Sequence, residues 1–477
     1  MQLAALHLPW KMLMKRYEAL AELLAADIRN GTLPPGTRLP SVRKLRAQHQ
    51  VSPATIFAAY HRLEDRGLVR AHERSGYFVR GQASAPLAEP QTHATTLPPA
   101  EVDISQLVFS ILGAAQDRAV VPLGSAFPSP RHFPLPRLAK SLASSARFID
   151  PWETVASLPP GHLPLRQQIA LRYLGLGIAQ PADQIIITNG ALEALNLALA
   201  ALTQPGDLVA IESPGFYAAL QAIERLKLKA IEIPVCPKEG LDLDVLAELL
   251  AAHPIKACWL MTSFQNPMGV SLSDEKKQRL VQMLSARQIP LIEDDVYGEL
   301  YFGQRQPLPA KAFDRAGWVL HCGSFSKCLA PGYRIGWIAP GRFARQVEQL
   351  KLMTTLSASV PAQAALADYL QTGAYDKHLR KLRHVLEGQL ALMNDAIRRY
   401  FPPAVRVSRP QGGYFVWLEF PAGFDTLQLH RQAAAHGISI APGPIFSASR
   451  RFSTACGSIL AASGAPSLSW RCKPWGA

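Results

Sequence analysis

Lys327 lies in GSFSKCLAPGYRIGW, residues 323–337, with Ser324 and Ser326 before it and Arg334 after it. A lysine amine is a poor nucleophile while protonated. In a site that lowers its pKa it condenses with an aldehyde to a Schiff base. The two hydroxyls and the guanidinium are donors suited to a phosphate, the arginine through charge-assisted bonds. Most lysines are surface charges, so this reading depends on what accompanies Lys327.

Pyridoxal phosphate is the aldehyde cofactor whose further needs can be checked. It requires an acid against its ring nitrogen, donors for its phenolic oxygen and its phosphate, and a flat group on its ring. In EDDVY, Asp294 and Tyr297 stand three residues apart at the end of an apolar strand. The carboxylate suits the ring nitrogen and the phenol the phenolic oxygen, and Lys327, Asp294 and Tyr297 are the candidate catalytic residues. Asp295 competes with Asp294, although the spacing to Tyr297 favours Asp294. Asn266 of SFQNPMG is a second partner for the phenolic oxygen, though Asn-Pro alone is only a turn. In TNGALEAL a strand passes through Gly190 into a helix start, so the Ala191 and Leu192 amides form a candidate anion site. Phe216 of ESPGFYAAL is the stacking candidate, with Tyr217 as runner-up and plain core packing as the alternative.

Elements able to hold these residues follow from the pattern. Apolar runs such as QIIITN, DLVAIE, ACWLMT, PLIEDD and WVLHCGS alternate with helical patterns such as ALEALNLALAAL. That alternation predicts a mostly parallel sheet covered by helices. A chain of 477 residues accommodates such a body plus a smaller module. Its apolar runs are too short and interrupted to span a bilayer, so no membrane role is expected. MQLAALHLPW lacks the basic flank and cleavage site of a signal peptide. Six scattered cysteines show no metal-ligand spacing and suit a reducing cytoplasm.

A net charge of +14 suits a polyanionic partner, and residues 14–80 are more basic still in proportion, with 12 Lys/Arg against 6 Asp/Glu. There, Tyr17 to Arg29 has helical spacing and stops at Asn30-Gly31, before the Pro34-Pro35-Gly36 turn. Ser41 opens a second helix, and Ser52-Pro53 opens a third, with serine as cap and proline at the first helical position. LVRAHERSGYFV then alternates as a hairpin with a Ser75-Gly76 tip. This is a winged helix-turn-helix, whose reading helix would present Ser52, Pro53, Ala54 and Thr55 to double-stranded DNA.

GTLPPGTRLPSVRKL, VSPATIFAAYHRL, GLV and SGYFV resemble the GntR-type winged head of bacterial repressors in order and spacing. The resemblance implies that Arg38, Ser41 and Arg43 grip the DNA backbone or groove and that Gly76 sits at the wing tip. The motifs around Gly190, Phe216, Asn266, Asp294, Lys327 and Arg334 are similar in order to fold type I aminotransferases. Head, linker and body together resemble the MocR subgroup of GntR-type regulators. Residues 81–102, rich in Pro and Ala with hardly any apolar periodicity, read as a linker, and the resemblance implies a multidomain chain with a winged helix-turn-helix at 14–80 before it and a pyridoxal phosphate-binding α/β body at 103–452 after it. It further implies a homodimer that binds operator DNA and senses an amine or amino-acid effector by exchange at Lys327. A working aminotransferase with a DNA-binding head, and a degenerate dimerisation scaffold, are the rival readings.

Two departures stand out. Counting ten residues back from Arg166, where many relatives carry a phosphate-binding tyrosine, gives Ala156. Relatives also follow a segment like ISIAPGPIFS with a strand bearing a carboxylate-clamping arginine, whereas this chain ends RFSTACGSILAASGAPSLSWRCKPWGA. From Ser453 on there is no acidic residue. Shifting the frame from the last base of the Phe452 codon permits Gln-His-Cys-Leu-Arg-Leu-Asn-Pro for residues 453–460. Residues 453–477 are therefore expected to be an anomalous tail from a frame shift, and residues 1–13 an extended start or an arm.

Overall fold

The computed structural model describes residues 15–29, 32–33, 37–72, 76–79, 87–91, 98–113, 120–124 and 129–459. Met14, Asn30-Gly31, Pro34-Pro35-Gly36, Ser75, Trp470, Cys472 and Trp475 lie outside the described residues, as do most of the 81–102 segment and residues 460–477. The chain divides into two compact units between Leu87 and Ala88.

The first unit contains helices α1 (Arg16–Arg29), α2 (Val42–His49) and α3 (Pro53–Asp65) and strands β1 (Val69–His72) and β2 (Gly76–Val79). Ser41 and Ser52 begin α2 and α3 as read from sequence, each hydroxyl accepting a backbone N–H of the first turn, from Lys44 and Thr55. Those bonds satisfy donors that a helix start leaves open. Leu20, Leu24 and Ile28 of α1 meet Leu45 of α2 and Ile56, Tyr60 and Leu63 of α3, with Val69 and Val79 closing the core. The strands pair antiparallel, and Gly76 opens β2 opposite His72.

In the second unit the strands are β3 (Ala100–Glu101), β4 (Val121–Pro122), β5 (Ile186–Thr188), β6 (Leu208–Ser213), β7 (Lys229–Cys236), β8 (Gly240–Leu241), β9 (Ile255–Leu260), β10 (Leu291–Asp294), β11 (Val319–Ser324) and β12 (Gly336–Ala339). They are followed by β13 (Arg406–Val407), β14 (Phe415–Glu419), β15 (Ile438–Ser439), β16 (Ala441–Pro442) and β17 (Ala455–Ile459). The large sheet runs β3-β7-β6-β9-β10-β11-β12-β5, with β8 on β7. Its centre, from β7 through β6, β9 and β10 to β11, is parallel. Every residue of β6 and of β11 is buried, as helices on both faces require. A smaller antiparallel sheet runs β13-β14-β17-β16, and β15 pairs with β4. Among the described residues no helix is long and apolar enough to cross a membrane.

Two segment boundaries differ from the sequence reading. Within 81–102, the Ala88 carbonyl accepts from Val407, Pro90 is buried, and Ala100–Glu101 is an edge strand of the large sheet. Alternation over so few residues was too short to register among prolines and alanines. Likewise Ser453–Ile459 is no loose tail: the Ser453 carbonyl accepts from Thr426, and β17 is an inner, fully buried strand between β14 and β16.

Because Leu63 is fully buried at the centre of the small core, Leu63→Ala should destabilise the first unit by about 2–5 kcal/mol. Chemical denaturation of the full chain should show an earlier first transition and an unmoved second one.

Candidate functional site

The groups singled out by sequence converge at one edge of the large sheet. Parallel β10 and β11 pair Asp294 with Cys322, so Asp294 ends one strand where its neighbour runs on into the loop carrying Lys327. Asn266 follows β9, which flanks β10 on the other side, and Phe216 follows β6. At the far side β5 delivers Gly190 and the start of the Ala191–Leu202 helix, while antiparallel β12 returns from Arg334. Carboxyl ends of parallel strands are where open α/β sheets place ligands.

The centre of the site is a carboxyl group and an amine of shifted pKa. Asp294 is 1% exposed, and neither of its carboxylate oxygens has a hydrogen-bond partner. Burial pushes its pKa up to about 7, against the opposing effect of the nearby Val296 backbone N–H and then the pull of Lys327. Burial brings the Lys327 amine down to about 7, with Arg334 pushing the same way and Asp294 resisting. Both groups therefore stand near their midpoint at neutral pH, the condition a Schiff-base lysine needs. A buried carboxylate that accepts nothing leaves room for a cationic ring N–H. Asp295 differs from its neighbour, because its Oδ2 pairs with His321 Nε2 at 3.2 Å.

Around this pair lie polar and aromatic groups. Tyr297 is buried edge-on against Tyr414 and Phe415, at ring-centroid distances of 5.3 and 5.1 Å. Asn266 and Tyr217 line a small recess with Pro267, Phe415, Phe446 and Gly457. Phe216 is half-buried at the start of the Tyr217–Arg225 helix, its ring tilted 57° on Tyr217. Tyr217, the runner-up, is thus the one that reaches the Asn266 recess. Gly457 occupies the position where the alternative frame places arginine.

The anion cradle is built from backbone. Gly190 has φ +83°, and a Cβ there would lie 2.7 Å from the Arg334 guanidinium. A Cβ on Gly336 would lie 2.5 Å from the Gly190 carbonyl carbon, so β12 and the helix start approach as closely as glycines permit. No side chain caps the helix beginning at Ala191, leaving the Ala191 and Leu192 amides for an anion. Arg334 reaches Ser326 Oγ at 3.4 Å and the Asn189 carbonyl at 3.4 Å. Ser324 serves the loop itself, donating to the Ile335 carbonyl and accepting from the Ser326 N–H.

Sequence reasoning missed the support beneath the acid. Trp337 Nε1 donates to the Tyr173 hydroxyl, which pairs with His321 Nδ1 at 2.7 Å, and His321 in turn holds Asp295. Tyr173 is 148 residues from His321 in the chain, and no spacing signals such a pair. Arg166, used above only for counting, is a buried brace whose guanidinium donates to the Gly161 and Ala182 carbonyls.

In the first unit, Arg38, Arg43, Pro53 and Ala54 are exposed, and Thr55 is half-buried with its hydroxyl 2.9 Å from that of Ser52. Arg38 lies beside Gly76, where a Cβ would sit 3.1 Å from its Nε. Ser41 and Ser52 both cap helices, a use the sequence reading gave to Ser52. Exposed Lys44 and Phe57, the latter 46% exposed, were not singled out.

Comparison with known proteins matches both units. Residues 16–79 match the gntR family of bacterial regulatory proteins, and residues 123–461 match aminotransferase class I and II. The HTH-type transcriptional regulator YdcR of Escherichia coli, itself described as uncharacterized, is 49% identical over 443 residues, covering 92% of this chain and 94% of that protein. Aromatic-amino-acid aminotransferase 1 of Thermococcus litoralis is 31% identical over 71% of this chain and 83% of its own. LysN, the α-aminoadipate aminotransferase of Thermus thermophilus, solved with N-(5'-phosphopyridoxyl)-L-leucine, superposes with TM-score 0.70 at 28% identity over 77% of this chain and 93% of that one.

The shifted pair sets a pH signature. Between about pH 4 and 7 the folded protein holds a proton on Asp294 that the unfolded chain has lost, so this group's contribution to stability falls as pH rises. Between about pH 7 and 10 the folded protein lacks a proton on Lys327 that the unfolded chain holds, so stability recovers with rising pH. Asp294→Asn should accordingly stabilise the cofactor-free body at pH 8, by about 1–3 kcal/mol, with the gain vanishing below about pH 4. Denaturation midpoints across that range measure it.

Proposed function

This chain belongs to the aminotransferase class I and II family through its body and to the gntR family of bacterial regulatory proteins through its head, and on that premise we propose a cofactor-loaded sensor. The protein is a transcriptional regulator that binds operator DNA with its head, holds pyridoxal phosphate at Lys327 and responds to an amine or amino acid. The observation carrying this reading is the open, buried Asp294 carboxylate beside a lysine whose amine is half neutral at pH 7.

Each side chain has a task. Asp294 accepts the proton-bearing ring nitrogen, and Tyr297 and Asn266 hold the phenolic oxygen. The Ala191 and Leu192 amides with Ser326 and Arg334 bind the phosphate, Ser324 fixes the loop they stand on, and Phe216 covers the ring. Pyridoxal phosphate, when bound, supplies the aldehyde carbon and an electron-withdrawing ring. Lys327 would hold that carbon and would be released as a free amine when an effector amine took its place, and the altered charge and packing at the strand ends would bias the body between arrangements. In the head, Arg38 and Arg43 contact phosphates, and Ser52, Pro53, Ala54 and Thr55 at the start of α3 face the base edges. The regulator acts where DNA is, in the cytoplasm.

A homodimer fits the surface of the body. Leu192, Leu352, Met353 and Leu356 are exposed around the Lys351–Glu193 ion pair, at the rim of the anion cradle. A second copy would bury this apolar rim, and the two heads would then read paired half-sites. For residues 453–477 the shifted frame remains our reading, because its arginine would fall at Gly457, in the wall of the Asn266 recess. Resequencing the gene across codon 452 decides it: an intact frame removes the idea.

The test is DNA binding at stated salt, with and without pyridoxal phosphate and candidate amines. The affinity should change with the loaded state, and an affinity indifferent to both ligands would leave no role for sensing. Lys327→Ala should abolish the visible absorption of bound cofactor. Arg43→Ala should weaken DNA binding on all sequences alike and lower the slope of log affinity against log salt by about one.

A further inference from the structure

The first turns of α3 carry no side chain able to make a bidentate hydrogen bond to a base. From its cap Ser52 to Tyr60 the sequence is SPATIFAAY, without Arg, Lys, Asn, Gln, Asp or Glu. Its hydroxyls are already engaged. Ser52 Oγ accepts the Thr55 N–H and lies 2.9 Å from Thr55 Oγ1, and the Tyr60 hydroxyl donates to the Pro40 carbonyl. Ile56, Ala59, Tyr60 and Leu63 face the core, whereas Pro53, Ala54 and Phe57 form an exposed apolar stripe, with Phe57 46% exposed. Beyond Phe57 the helix is bound to its own unit. His61 lies 3.8 Å from Glu64 and edge-on to Tyr77, Glu64 accepts from the Ala71 N–H, and Arg62 and Arg66 pair with Glu18 and Glu22 of α1. Exposed cations come from other elements: Arg43, Lys44 and Arg46 on α2, and Arg38, whose backbone pairs with Phe78 of β2.

We propose that Phe57 determines sequence preference by packing on a thymine methyl group in the major groove. The inference rests on the reading of the head as an operator-binding module. In that groove every base pair shows hydrogen-bond donors or acceptors, and thymine alone adds an apolar group, its C5 methyl. The cations of α2 and Arg38 suit phosphates, which carry affinity without sequence information. Base reading is left to α3, and its exposed stripe offers apolar surface in place of the usual Arg, Asn or Gln. A phenyl ring against the methyl takes apolar area of both partners out of water. The same ring against the amino group of cytosine would strip a donor of water and return no hydrogen bond. Phe57 therefore gains from thymine and penalises its pyrimidine alternative.

Thymine and uracil differ only in that methyl, which isolates the contact. A duplex enriched from a random-sequence pool by the full-length chain is resynthesised with deoxyuridine replacing thymidine one position at a time. At one thymine of a half-site the replacement should weaken binding by about fourfold, the worth of one buried methyl group, and with Phe57→Ala it should cost nothing. Phe57→Leu should keep part of the discrimination. Phe57→Ala should leave the affinity for unrelated duplex DNA, and its dependence on salt, as in the unaltered chain. Deoxyuridine tolerated at every position, or a penalty undiminished in Phe57→Ala, overturns the inference and leaves the head a DNA-binding module. Equal weakening of Phe57→Ala on all duplexes overturns it too, since the residue would then be structural. A chain that enriches no duplex removes the operator-binding reading itself, and this inference with it.

Discussion

A buried carboxyl at the end of one strand and a half-buried amine in the loop just beyond its neighbour govern the rest of the site. Burial moves the pKa of Asp294 up and that of Lys327 down, each to about 7, while the attraction between the two resists both shifts. This arrangement is costly for a protein to keep. It persists because the strands that bring the two together are buried on both faces and fixed by parallel pairing, which leaves the side chains at their ends no alternative position. A scaffold that tolerates such a pair is prepared for a charged ring to complete it, and strained, half-satisfied groups in a rigid frame mark functional sites.

The surroundings of the pair divide into two parts. On one side Trp337, Tyr173, His321 and Asp295 form an unbroken buried chain of polar contacts, and Gly190 and Gly336 let two backbone segments close on the anion cradle. On the other side Phe415, Tyr414 and Gly457 come from the small sheet and its margins, which meet the large body through ring packing and through backbone bonds from Gly413 to the Leu300 carbonyl and from Phe302 to the Gln411 carbonyl. Ala88–Gln91 is also fastened to that small sheet, through Val407 and Glu419.

Much of this was legible in the chain itself. The winged head followed from capping serines, a proline at a helix start and thirteen residues of helical spacing, because these signals are local and act within one turn. The parallel sheet followed from apolar runs too continuous to be half-exposed. Lys327, Asp294, Tyr297, Asn266 and Arg334 could be singled out because each sits at a strand end or a turn, where residue type and spacing still carry the chemistry. His321, Tyr173 and Trp337 were not found, since their partnership closes over long stretches of chain. Two boundaries were misplaced for a similar reason: Ala88–Gln91 and Ser453–Ile459 look like linker and tail by composition, but backbone hydrogen bonds to distant strands hold them in the body.

What the sequence by itself determined was the list of parts: a basic three-helix head with a wing, an alternating α/β body, and a lysine, acid, phenol and arginine in an order suited to pyridoxal phosphate. Tertiary structure alone decided which of two adjacent aspartates is open and which is occupied, which aromatic ring reaches the recess, and that Ala88–Gln91 is bonded to the body. Local propensity and periodicity are written in neighbouring residues. Burial, charge pairing and hydrogen-bond closure depend on strands brought together from far apart in the chain, and so they exist only once it has folded.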